Sequence, residues 1–428
     1  MKKRRVVVTG MGIWSCIGQD LETVTESLQQ GRSGIGVREE RQRYGYNSLL
    51  TGIVPKPDLK PLLDRRHRNT LSEEAEFAYM STREALQNAN IDEAYCKENE
   101  IGIVFGNDTS TKAVVDSYLK SVDEGNTMIL GSGMAFQSLT SNVASNLANI
   151  FCLRGANFTT ASACASSAQA IALAAMLIQS GVQDIIVAGG AQETNDLSMI
   201  AFDGVNTLSK RNDDPTHASR PFDKKRDGLV PSGGAATLVL EEYEHARQRG
   251  ANILAEVLGY GFSQNDTPLG QPSQDAEYTA MQRALKSANI LPQAIDYINA
   301  HATSTIAGDI AEAQALTRLF CKSNVSNASK TSNASDLVQC PKASTPLISS
   351  TKSMTGHECW MAGASEAVYS MLMMQHSFVA PTINLEDIDD SASQLNIVRE
   401  TTTAQINIAL SNSFGFGGTN CSIIFKKN

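Results

Sequence analysis

The chain reads as a layered α/β protein in which helices cover largely buried sheets. Short β-branched runs alternate with helical stretches along almost all of its 428 residues, the pattern of strands that pack under helices. Hydrophobic residues make up 42% and charged residues 19%, which excludes bulk disorder, collagen and a simple coiled coil. A chain of this length buries roughly three-quarters of its unfolded surface, so it folds without a metal or disulfide staple.

The first strand is expected at 5–9, where Val6-Val7-Val8 follows a basic start. Met1-Lys2-Lys3-Arg4-Arg5 imitates a secretion signal, but the apolar run breaks after three residues and no small-residue cleavage site follows. Gly10-Met11-Gly12 reads as a tight turn, because a dinucleotide fingerprint needs a third glycine where Ser15 stands. Leu21, Val24 and Leu28 share one face of a helix over 21–30, stopped by Gly31. Further strands are expected at 101–105, 184–188, 236–241, 254–259, 295–300, 347–350, 406–411 and 421–425. An Ala-rich helix over 165–180 ends at Gly181. The charged helix at 242–251, with a fresh strand behind it, divides the chain into halves 1–251 and 252–428. From 322 to 344 the composition turns to Ser, Asn, Lys and Ala, the mark of an exposed insertion.

The net charge of −9 opposes general binding to nucleic acid and adhesion to anionic membranes. No apolar stretch nears the ~18–20 residues of a membrane span. Eight cysteines stand singly along the chain, with no C-x-x-C and no zinc spacing. They read as reduced thiols of a cytoplasmic protein that holds no metal.

One of them is set apart. Thr159-Thr160-Ala161-Ser162-Ala163-Cys164-Ala165-Ser166-Ser167-Ala168 crowds small residues around Cys164 just before the Ala-rich helix. A thiol at a helix N-terminus is expected to have its pKa lowered by the dipole and free N–H groups, which can also hold an oxyanion. From this window alone, a buried packing cysteine is the commoner outcome. Three more clusters weigh against it: Asn299-Ala300-His301-Ala302-Thr303-Ser304-Thr305, Ser350-Thr351-Lys352-Ser353-Met354-Thr355-Gly356-His357, and the glycine-hinged Asn412-Ser413-Phe414-Gly415-Phe416-Gly417-Gly418-Thr419-Asn420. Loops of this kind carry sites in α/β folds.

On these clusters, with Ser219-Arg220-Pro221-Phe222-Asp223, Arg226-Asp227-Gly228 and Gly308-Asp309 between them, the chain resembles the β-ketoacyl-[acyl-carrier-protein] synthases of the I/II type, condensing enzymes of the thiolase-like superfamily. The resemblance implies a five-layered α-β-α-β-α fold built from two similar halves, and a homodimer. It makes Cys164 the nucleophile that holds the acyl chain as a thioester. It makes His301 and His357 donors to the thioester carbonyl of the malonyl substrate. Lys352 would orient the second histidine through Glu366. The N–H groups of Cys164 and Phe416 would form the oxyanion hole, with the Phe416 ring as a gate. Thr303 and Thr305 would hold the phosphopantetheine arm, which arrives on the carrier protein, so the enzyme has no cofactor of its own. The carrier is acidic, and the basic run ending in Arg65, Arg66 and Arg68 is expected to dock it; Asn69 stands where the family has a second basic residue.

The implied reaction is decarboxylative Claisen condensation in fatty-acid elongation. The alternative is the ketosynthase of a type II polyketide or polyene pathway, which uses the same residues; a non-catalytic chain-length partner would lack Cys164. A thiolase needs a second catalytic cysteine, and Cys421 lies inside a strand pattern. Three departures from the family pattern stand near the site: Ala302 for a glycine, beside the pantetheine arm, Glu358-Cys359-Trp360-Met361 for a run of small and leucine residues, and Gly106-Asn107-Asp108-Thr109-Ser110 for a glycine-rich loop.

Overall fold

The computed structural model describes residues 4–321 and 345–428; the expected insertion at 322–344 lies outside the described residues. The principal sheet contains β1 Val6–Trp14, β2 Ile101–Gly106, β3 Asn157–Thr160, β4 Ile185–Gln192, β5 Gly234–Glu242, β6 Ala255–Gln264, β7 Tyr297–Asn299, β8 Leu347–Ser349, β9 Ile408–Phe414 and β10 Thr419–Lys427. The helices that layer on it are α1 Glu73–Asn88, α2 Asn142–Ile150, α3 Ser166–Gln179, α4 Gln274–Ala288, α5 Ile306–Cys321 and α6 Ala362–His376. No helix among the described residues is long and apolar enough to cross a membrane.

The sheet order, β8-β7-β9-β10-β6-β1-β5-β4-β2-β3, is a duplication. Outward from the centre, one half runs β1-β5-β4-β2-β3 and the other β6-β10-β9-β7-β8, which is the same order with each number raised by five. The directions repeat as well: two antiparallel pairings next to the centre, then two parallel ones at the edge. The halves meet where Val7 and Val8 pair with Glu256 and Ala255.

The helices complete five layers. On one outer face α1 packs on β1 and β5, with α2 beside it; on the other α4 packs on β6 and β10, with α5 beside it. Between the two halves of the sheet lie α3 and α6, packed against each other. A helix in the middle layer has little surface left for water, so small and apolar residues dominate both α3 and α6. Every residue of α6 from Ala362 to Met374 is buried. Small residues bring the two helices close: a Cβ on Gly363 would lie 2.6 Å from the Ala168 backbone nitrogen. The five-layered α-β-α-β-α arrangement implied by the resemblance is the one present.

Each strand expected from the sequence is found, and so is the helix Leu21–Gln30. Two readings need correction. Gly10-Met11-Gly12 is not a turn; it lies inside β1, with a bulge between Val8 and Gly10. Its glycines serve helix packing, since a Cβ would lie 2.3 Å from the Ala85 carbonyl oxygen at Gly10 and 2.2 Å from that of Ser81 at Gly12. The sequence reading also lacked β3, an edge strand whose Asn-Phe-Thr-Thr carries no apolar alternation.

Candidate active site

The duplication brings the chemistry together. Cys164 follows β3 and precedes α3, while His357 follows β8 and precedes α6. These are the third strand and the central helix of each half, so thiol and imidazole occupy equivalent places at the ends of two helices that touch. Cys164 Sγ lies 2.9 Å from His357 Nε2. His301, after the second strand of its half, stands edge-on to His357 with ring centroids 5.3 Å apart and planes at 87°. The sulfur and a nitrogen from each ring all lie within 4.8 Å of one another.

Each group is held from below. Cys164 sits in a single tight turn, Ala163–Ala165, before α3, with Ala163 at φ +47°. The Ala163 N–H donates to Asp108 Oδ2 at 3.2 Å. The His301 turn rests on two acids of α5. Glu312 accepts from the N–H groups of His301 (3.0 Å) and Ala302 (2.7 Å) and from Asn412 Nδ2 (3.0 Å). Asp309 accepts from Ser304 (3.1 Å) and from Phe222 (2.8 Å), and lies against Arg226. The Arg220–Asp223 and Arg226–Asp389 pairs clasp that loop in turn. His357 is placed by its backbone, its N–H donating to Val230 O at 2.7 Å and its carbonyl accepting from Ser232 N at 2.8 Å.

Lys352 pairs with Glu366 in the core, both side chains 2% exposed or less. His357 Nδ1 has no partner among the described residues and its Nε2 faces the thiol, so Lys352 reaches the ring through space. Burial first, and then the Lys352 charge, hold both imidazoles well below the ordinary histidine pKa. At neutral pH both rings are uncharged.

The thiol corrects another expectation. Burial pushes Cys164 up to about 11, opposed in smaller measure by the Phe416 N–H, the Lys352 charge and its own N–H. Desolvation outweighs the helix terminus, so at rest the group is a thiol whose proton faces an imidazole. The two backbone N–H groups expected to form the oxyanion hole converge on that sulfur.

A cavity of about 420 Å³ opens over the three groups. Met199, Phe202, Cys359 and Trp360 form its apolar wall beside Cys164, and Thr303 and Thr305 stand in the same cavity with their hydroxyls 3.0 Å apart. The Phe416 ring, 45% exposed, leans on Phe202 at 5.6 Å. The basic run lies elsewhere: Arg65 and Arg66, exposed, and Arg68, half-buried, form a single turn, Arg65–Arg68, that does not line the cavity. Sequence reading named neither Glu312 nor Phe202. Glu312 was within reach, since an acid between alanines three residues after Asp309 falls on the buried face of α5.

The model for Beta-ketoacyl synthase, N-terminal domain, matches residues 3–246, and that for Beta-ketoacyl synthase, C-terminal domain, matches residues 254–386. The chain is 37% identical over 427 residues to 3-oxoacyl-[acyl-carrier-protein] synthase 1 of Escherichia coli (strain K12), covering 99% of each chain. It is similar to the solved structure of a beta-ketoacyl synthase from Burkholderia phymatum STM815, with a TM-score of 0.90, 32% identity and coverage of 99% of this chain and 100% of that one. It is also similar to a chain of a solved complex of a type II PKS acyl-carrier protein with its ketosynthase bound to the hexaketide, with a TM-score of 0.86, 28% identity and full coverage of both chains.

Proposed function

The chain belongs to the β-ketoacyl synthase family, and from that premise we propose that it is a β-ketoacyl-[acyl-carrier-protein] synthase of fatty-acid elongation. One observation carries the reading: a buried thiol 2.9 Å from one of two neutral, adjoining imidazoles. In the first half-reaction Cys164 Sγ attacks the acyl thioester. Its proton passes to His357 Nε2 and leaves on the departing carrier thiol. The N–H groups of Cys164 and Phe416 hold the oxyanion. In the second, His301 and His357 donate hydrogen bonds to the malonyl thioester carbonyl. The C–C bond to the carboxylate breaks, its electron pair forms the enolate, and CO₂ departs. The enolate carbon attacks the Cys164 thioester and releases the thiolate. Decarboxylation supplies the carbanion, so the site needs neutral donors and no strong base.

The phosphopantetheine arm arrives on the carrier protein, with Thr303 and Thr305 placed to hold it, and the enzyme works in the cytoplasm without a cofactor of its own. A second copy covers the exposed apolar side chains of the helix Thr111–Glu124, Tyr118 and Val122 among them, and the edge strand β3. Incubation with acyl-carrier protein adds the acyl mass to the peptide containing Cys164; mass on the Cys359 peptide, whose thiol lines the same cavity, overturns the assignment. The wall formed by Cys359 and Trp360 favours a second reading, the ketosynthase of a type II polyketide or polyene pathway. Faster acylation by a polyenoyl carrier than by a saturated one of equal length decides for it.

Carrier docking falls to the Arg65–Arg68 turn. Arg68 Nε donates to Leu63 O at 3.1 Å, which leaves Arg65 and Arg66 as the exposed charges of the turn. Reversing both to Glu raises KM for carrier-protein substrates severalfold and flattens its salt dependence, because rim charges steer association. Activity with a pantetheine thioester stays level. Equal losses with both substrates assign these arginines to the fold.

A further inference from the structure

Cys164, His301 and His357 stand too far apart in the sequence to show as a metal motif, yet the fold gathers a donor set that soft metals prefer. The Cys164 sulfur and one nitrogen of each ring lie within 4.8 Å of one another, and all three residues are buried. Cys164 Sγ and His357 Nε2 are 2.9 Å apart. A tetrahedral Zn²⁺ holds thiolate sulfur at about 2.3 Å and imidazole nitrogen at about 2.0–2.1 Å, which sets its ligand atoms about 3.3–3.6 Å from one another. The trio brackets that spacing. The thiol–imidazole pair has to open by about 0.7 Å, and no pair has to close by more than about 1.5 Å. Hydrogen bonds to the backbone fix all three turns, so the adjustment falls to side-chain torsions. The group contains no carboxylate, whereas Mg²⁺ and Ca²⁺ take oxygen ligands. His357 Nδ1 has no partner among the described residues, and a resident zinc site gives its histidine an outer partner at that atom. The arrangement therefore suits reversible capture and not a permanent structural ion.

We propose that this trio captures free Zn²⁺ whenever no acyl chain occupies Cys164. The S–H bond of Cys164 breaks and its proton leaves to solvent. The thiolate and the two ring nitrogens close on the ion, and water from the cavity takes the fourth position. Metal and acyl chain then compete for one sulfur: zinc holds the enzyme off, and an acylated enzyme excludes zinc. This goes beyond the synthase reading, since capture itself needs no thioester; only the competition rests on that reading.

Co²⁺ is the probe, because it takes the same tetrahedral site and reports it in colour. Metal-free, reduced enzyme titrated with Co²⁺ develops a thiolate-to-metal charge-transfer band and the intense visible bands of tetrahedral cobalt, at one ion per chain. Zn²⁺ discharges both; Mg²⁺ discharges neither. Cys164→Ala and Cys164→Ser lose the charge-transfer band. His301→Ala and His357→Ala each weaken Zn²⁺ binding more than about tenfold, since even an outer partner of a zinc ligand is worth about 10–100-fold. Cys359→Ala, which removes the other thiol of the cavity, keeps every band. A wild type without the charge-transfer band overturns the proposal. So does a band that survives in Cys164→Ala or vanishes in Cys359→Ala, or a histidine variant that binds Zn²⁺ as tightly as the wild type. These measurements use no substrate and stand whether or not the chain is a synthase. In the acylation assay, Zn²⁺ blocks addition of the acyl mass to Cys164 and EDTA restores it; acylation that proceeds at saturating Zn²⁺ overturns the competition. A wild type that takes no acyl chain even with EDTA speaks against the synthase reading alone.

Discussion

Cys164→Ala is expected to abolish condensation while leaving decarboxylation of malonyl thioesters in place. The two half-reactions use different atoms. Only Sγ can carry the acyl chain, so without it there is no electrophile for the enolate. The groups that make the enolate remain: His301 on its Glu312 support, and His357 between Val230 and Ser232. Removing a buried sulfur leaves a gap of one atom, which does not move backbone fixed by those bonds. The enolate then takes a proton, and malonyl-carrier protein becomes acetyl-carrier protein with release of CO₂. Trapping the CO₂ and resolving the carrier species by mass checks both arms. If decarboxylation disappears with condensation, the thiol is itself part of the enolate site, and the separation of roles fails.

The residues proposed for the chemistry were legible because each stands at a break in an apolar pattern. Cys164, His301 and His357 follow strand-like runs and sit among small residues, where an α/β layer places loops. What decides their chemistry was not legible. Helix position alone argues for a lowered thiol pKa; the contacts that desolvate Cys164 come from Met199, Cys359 and Trp360, far away in sequence, and they reverse the sign. Glu277 and Glu312 lie in helical stretches where a carboxylate ordinarily marks a solvated face, and only the packing of the two halves buries them. The duplication is likewise a property of topology, with one trace in the sequence. Gly10-Met11-Gly12 in β1 and Gly259-Tyr260-Gly261 in β6 stand in the first strand of each half. Both pairs let a helix backbone approach, with a Cβ on Gly261 meeting the Ala280 carbonyl oxygen at 2.2 Å as one on Gly12 meets that of Ser81. Taken singly, the first of these pairs resembles a turn.

Replacing either histidine is expected to remove decarboxylation itself. The charge that develops on the malonyl thioester oxygen sits among buried groups, where a fixed donor is worth more than a solvent molecule. Removing one such donor lowers the rate by about 10²–10³. His301→Ala and His357→Ala therefore each lose CO₂ release by that factor, and His357→Ala also slows acylation of Cys164, because the thiol loses its proton acceptor at 2.9 Å. His301→Ala leaves acylation close to normal, so the two variants differ in the first half-reaction and agree in the second. The pH profile gives a further check. Burial and the Lys352 charge depress both imidazoles well below about 6.5, the usual value for histidine. A depressed pKa keeps the uncharged ring in excess down through neutral pH and beyond, so wild-type decarboxylation stays level from about pH 8 to 6.5, its acid limb falling below that point. For the second half-reaction each ring must present N–H at Nε2, and no partner of Nδ1 among the described residues holds either ring in the opposite tautomer. An acid limb centred at or above 6.5 would mean that one histidine works as an imidazolium, and the neutral-donor scheme would have to be given up.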